Sequence, residues 1–195
     1  MQSRRKGRLA AAAGLRHFWA DLSDDQRRAV AAAERYADGE IRFSELRAAA
    51  VPVGPGAVGT LPGAVAQITH REYAGPLRHA ATLFVPVVVG GPVYTNPPFP
   101  AARAYAEQGR PMMAILRCVF GNPFRPIAVG PSWRTSAVVA LAVGIYAERA
   151  FDRLPVLADA LEDAGCGDEE VLAHCRGAGP HVRGCWVVDL VLGKQ

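Results

Sequence analysis

Nine of the fifteen prolines fall between residues 51 and 100, together with seven glycines and only three charged residues, Arg71, Glu72 and Arg78. Proline lacks the backbone donor that helices and central strands need, and its ring clashes with the preceding helical turn. No long regular element is expected where it recurs this often. The sequence therefore predicts a helical N-terminal segment (1–50), an irregular Pro/Gly-rich linker or insert (51–100) and a C-terminal helical domain (101–195). Within the middle, residues 83–89 have the apolar character of a short buried strand, interrupted by Pro86. Asn96, Pro97, Pro98 and Pro100 favour extended, polyproline-like backbone. The low charge sets this stretch apart from ordinary disordered chains, and an exposed sticky loop is the alternative.

Both flanks carry helix signals. Ser23 and Gln26 match a capping box, which predicts a helix over 24–37, with Gly39 as its stop. Ser44 is the expected cap of a short third helix. In the C-terminal half, Pro111 suits a first helical residue, and Met112, Ile115, Leu116 and Val119 form one apolar face. Residues 120–126 contain Gly121 and Asn122-Pro123, a turn signature. Thr135 and Asp152 are expected to cap the next two helices, and a short helix follows near Asp168. The run 182–192 is apolar almost all round, which predicts a buried central helix, with a strand as the alternative. Asp189 lies inside that run and needs a partner if buried; Arg176 and Arg183 are nearest in sequence. The expected fold is mainly α: a small irregular helical bundle in the C-terminal half behind a helical N-terminus.

Charge narrows the function classes. The net charge is +4, nearly all of it arginine, too little to argue for nucleic-acid binding. Residues 1–16 carry Arg4, Arg5, Lys6, Arg8 and Arg16 with no acid; helices are expected over 8–50, with Leu9, Leu15, Phe18, Trp19 and Leu22 the apolar positions of the first, and the N-terminal arginines are expected to be a frayed basic end. Ser3-Arg4-Arg5 resembles the start of a twin-arginine signal, but the apolar stretch that follows is short and mostly alanine. No run of about 18 apolar residues exists. A cytoplasmic location follows as the expectation, with no membrane and no nucleic-acid partner, and reduced thiols at Cys118, Cys166, Cys175 and Cys185.

Several segments resemble an uncharacterised family of planctomycete proteins that is related to repeat-companion domains. The nearest likeness is H-C-R-G-A-G-P-H-V-R-G-C-W-V-V-D-L over residues 174–190; others are L-R-C-V-F-G-N-P-F-R-P (116–126), P-S-W-R (131–134), L-P-V-L-A-D-A-L-E-D-A-G-C (154–166) and A-E-R-Y-A-D-G (33–39). Residues 51–100 depart from the alanine- and tryptophan-rich helical sequence usual there. The resemblance implies a helical fold and no chemistry. With no recognisable catalytic constellation, it points to a non-enzymatic helical module for protein–protein interaction or regulation, with another protein as partner and no cofactor.

The alternative is a small metal- or anion-binding protein centred on residues 174–185. Cys166, His174, Cys175, His181 and Cys185 are zinc-ligand types within twenty residues, and the candidate set is His174, Cys175, His181 and Cys185. His181 and Cys185 are four apart, as on one helix face. No C-x-x-C is present, and buried structural thiols are the default reading. Arg176 and Arg183 flank a glycine-rich turn that suggests an anion site. Cys185 with His181 could form a nucleophilic pair, though the apolar surroundings of Cys185 favour inert burial. The acids Glu162, Asp163 and Asp168–Glu170 are expected to be a solvated face and a helix start.

Overall fold

The computed structural model describes residues 4–54, 61–70 and 99–194. Among them are nine α-helices and no strand: α1 Arg4–His17, α2 Asp24–Ala37, α3 Phe43–Ala48, α4 Leu61–Ile68, α5 Phe99–Phe120, α6 Ser136–Glu148, α7 Leu154–Asp163, α8 Glu169–Arg176 and α9 Trp186–Leu192. The mainly α expectation holds. Among the described residues no helix is long and apolar enough to cross a membrane. The chain divides into two compact units, 1–113 and 114–195.

In the first unit α1 packs on α2 and α4. Ala10, Ala11, Ala12 and Ala13 are buried with Leu9 and Leu15; alanine brings little area but lets helix backbones approach closely. The Ser23 capping box forms: the Ser23 hydroxyl accepts the Gln26 amide at 3.3 Å, and the Gln26 side chain accepts the Ser23 amide at 2.9 Å. The basic terminus is not frayed from Arg4 onward. Arg5 pairs with Asp38, and Arg16 donates twice to the buried Glu34 at 2.8 Å. Arg8, itself buried, donates to the carbonyls of Ile68 and His70. Burial on α2 and α4 and these partners hold residues that composition alone assigns to solvent.

Part of the middle segment also differs from expectation. Residues 61–68 are helical, with Pro62 in the first turn, where a missing N–H costs no helical bond. Ala64, Val65 and Ile68 are buried, and this packing outweighs the proline-rich context. The readings for 83–89 and 96–98 fall outside the described residues. Helix α5 begins at Phe99, so Pro111 lies within it and is not its first residue. Ser44 is not a cap either: α3 starts one residue earlier, and the Glu45 carboxylate accepts the Arg42 amide at 2.9 Å.

The second unit takes the end of α5 and helices α6 to α9. Thr135 caps α6 by accepting the Val138 amide at 3.2 Å. Asp168 caps α8 by accepting the amides of Glu170 and Val171 at 2.9 and 3.2 Å. Asp152 is no cap; it sits in a 3-10 turn, Phe151–Arg153, ahead of α7. Ile145, Leu154, Leu157, Leu161, Val171 and Val188 build the core, and each is essentially sealed from solvent. The terminal helix is shorter than the apolar run that predicts it: 182–185 form a turn, and α9 starts at Trp186. Its Val187, Val188 and Val191 are buried as expected, and Asp189 is buried with them.

Candidate metal centre

Four segments of the second unit deliver one side chain each to a common point. Cys118 lies in the last turn of α5, and His174 in the last turn of α8. His181 comes from the loop between α8 and α9, and Cys185 is the N-cap of α9. The loop reverses at Gly179, whose φ is +84°. A Cβ there would sit 2.8 Å from the His181 amide nitrogen, so only glycine lets the chain fold the His181 ring back to the helix ends.

One ligand-type atom from each of Cys118, His174, His181 and Cys185 lies within 4.8 Å of the other three. His174 Nε2 is 3.3 Å from Cys185 Sγ, and Cys118 Sγ is 3.9 Å from His181 Nδ1. A tetrahedral zinc with ordinary Zn–S and Zn–N bonds places sulfur and nitrogen ligands roughly 3.6 Å apart. The two distances bracket that value. Both sulfurs are buried and both imidazoles half-buried.

The outer nitrogen of His181 is held as well. His181 Nε2 lies 3.0 Å from the Gly177 carbonyl oxygen. A carbonyl only accepts, so Nε2 carries the hydrogen, and in the neutral ring Nδ1 presents a lone pair toward the sulfurs. A backbone carbonyl on the outer nitrogen is the usual support of a metal-bound histidine.

The electrostatics couple Cys185 to His181. Burial pushes the Cys185 thiol up, but hydrogen bonds from Cys118, His174 and His181 more than offset it, and the thiol is held well below its ordinary range. The hydrogen bond to Cys185 raises the His181 imidazole, against the opposing effect of burial. Without metal the pair therefore leans toward thiolate and imidazolium, and metal binding would keep the thiolate and release the Nδ1 proton of His181.

The structure brings together three of the four ligands proposed from sequence, His174, His181 and Cys185, and replaces Cys175 with Cys118. Neighbours on a helix point about 100° apart, so Cys175 turns away from His174 into the core. It is fully buried, and burial raises its thiol strongly. Burial also raises Cys166, which lies outside the group. The pairing of His181 with Cys185 does not arise from a shared helix face, because residues 177–185 are a loop. Cys118 was legible only as one of four reduced thiols: it stands 63 residues from His181, beyond any spacing rule.

The other candidates disperse. Arg176 donates to Asp159 at 2.8 Å and Glu162 at 2.6 Å, so its charge is committed to carboxylates and not to an anion site or to Asp189. The Arg183 guanidinium lies 4.9 Å over the Tyr146 ring. The two arginines thus have different partners in the structure. Cys185 and His181 are adjacent, but the sulfur is completely buried, which places it out of a substrate's reach as a nucleophile. Asp168 and Glu170 serve the start of α8 and face Arg125 at 3.3 and 3.5 Å.

No family model, curated protein or solved structure matches this chain.

Proposed function

We propose that the chain is a helical module whose C-terminal unit is stapled by a structural zinc ion on Cys118, His174, His181 and Cys185. The observation that carries this reading is the convergence of two sulfurs and two ring nitrogens within 4.8 Å, with the Gly177 carbonyl fixing the His181 tautomer. Two thiolates and two imidazoles in tetrahedral reach favour zinc over harder, oxygen-seeking cations. When bound, zinc supplies cross-linking and no redox chemistry. Four protein ligands close the coordination shell, which suits a site that holds shape and takes no substrate. This fits the expectation of a non-enzymatic module. The ligands tie the end of α5 to α8, the 177–185 loop and α9, segments that a small core would otherwise hold alone.

The test is metal analysis of the purified full chain, followed by cobalt substitution. One zinc per chain is expected. The cobalt form should show tetrahedral ligand-field bands and sulfur-to-metal charge transfer, both lost in Cys118→Ser. Protein that retains no zinc and gives an octahedral cobalt spectrum would overturn the proposal.

A further inference from the structure

A cavity of about 370 Å3 opens beside the cluster, with His174 in its wall. Volumes of this order accommodate small organic ligands or a single peptide side chain with its backbone. Trp186, Phe124 and Pro123 give it apolar surface, and Gly121 lines it beside them. Gly121 has φ +62°, and a Cβ there would lie 3.1 Å from the Trp186 ring; the glycine keeps that aromatic face open beside the backbone.

Phe124 is 94% exposed, yet its backbone is well fixed. The Asn122 side chain accepts the Phe124 amide at 3.1 Å, and the Asn122 carbonyl accepts the Arg125 amide at 3.2 Å. The Arg125 side chain then fastens the turn to Asp168. A structured turn thus holds a phenyl ring in water, where it costs hydrophobic free energy until something covers it.

The polar walls are asymmetric. Glu170 is taken up by Arg125. Arg117 is exposed and faces the same cavity, and it has no ion pair among the described residues. An unpaired guanidinium beside two aromatic surfaces complements a carboxylate carried on an apolar body, since Arg binds carboxylates through paired charge-assisted hydrogen bonds.

We infer that the cavity formed by Arg117, Phe124 and Trp186 binds an organic carboxylate attached to an aromatic or similarly apolar group. The inference goes beyond the zinc reading and rests on it only for the His174 wall. Two sources share this chemistry: a free small acid, and the C-terminal carboxylate of a peptide ending in an apolar residue.

The experiment titrates isotope-labelled, full-length protein with hydrocinnamate, with phenethylamine as the charge-reversed control, and reads amide and indole resonances. Saturable shifts at Gly121, Asn122 and the Trp186 indole are expected with the acid and not with the amine. Arg117→Met should weaken hydrocinnamate at least tenfold, a loss typical of a charge-assisted pair, and Phe124→Ala should weaken it too. Both side chains are exposed, so both variants should fold. A peptide ending in phenylalanine is compared with its C-terminal amide. Tighter binding of the free peptide than of hydrocinnamate identifies a chain terminus as the ligand, and the reverse order identifies a small acid. No shifts at millimolar hydrocinnamate, equal binding of the amine, or unchanged affinity in Arg117→Met would each overturn the inference. Zinc content is measured on the same samples. Binding without zinc sinks only the zinc proposal, and zinc without binding sinks only this one.

Discussion

Cys185 and Cys175 offer a matched pair of perturbations. Both thiols are fully buried in the same core, but only Cys185 belongs to the ligand group. Serine at either site places a hydroxyl in an apolar setting, at about 1–3 kcal/mol. That cost is common to both variants and cancels in the comparison. What remains is the metal. A ligand that binds only the folded chain stabilises it by RT ln(1 + [L]/Kd), about 4 kcal/mol when free zinc is a thousand times Kd. For a unit of the size of residues 114–195, each kcal/mol moves Tm by about 4–8 °C. Chelation should therefore lower the Tm of the wild type and of Cys175→Ser by roughly 16–33 °C. It should leave Cys185→Ser almost unmoved, because that variant starts without tight zinc. The assay is thermal unfolding of the full chain with zinc and with chelator, beside metal content. If Cys185→Ser keeps a full equivalent of zinc, or if wild-type Tm ignores the chelator, the reasoning fails.

Three other outcomes follow from single features. Gly121→Ala forces a left-handed φ of +62° on a residue with a Cβ and presses that carbon on Trp186; a loss of about 1–2 kcal/mol is expected, and an unchanged urea midpoint would contradict it. Burial raises the Cys166 thiol above its ordinary 9.0, so the folded chain keeps a proton that the unfolded chain releases. Its contribution is complete below pH 9 and declines as pH rises from there toward the raised folded value. Denaturant unfolding of wild type and Cys166→Ala across that range reads it, and equal slopes against pH would refute it. Arg176→Ala removes exposed ion pairs to Asp159 and Glu162. It should leave the urea midpoint nearly unmoved, because solvent screens exposed pairs, and leave phosphate affinity unaltered; phosphate-dependent stabilisation of wild type that vanishes in the variant would restore an anion site there.

The features legible in the sequence are those whose partners lie within a few residues. Ser23 with Gln26, Thr135 with Val138, and Asp168 with Glu170 and Val171 all close hydrogen bonds within one helical turn. Capping is local chemistry, so the pattern of side chains is enough to place it. The apolar run ending the chain likewise announces its own burial, since no surface position suits it. Tertiary packing decided what local signals misjudge. Burial of Val65 and Ile68 makes a helix inside proline-rich sequence, and α5 continues through Pro111. The candidate centre is the sharpest case. His174, His181 and Cys185 could be suspected from proximity in the chain, but their fourth companion, Cys118, comes from a helix 63 residues from His181. Cys175, next door to His174, is carried away by the helical rotation. Ligand identity depends on where side chains point in space, and only the core that Cys118 shares with residues of α8 and α9 sets that direction.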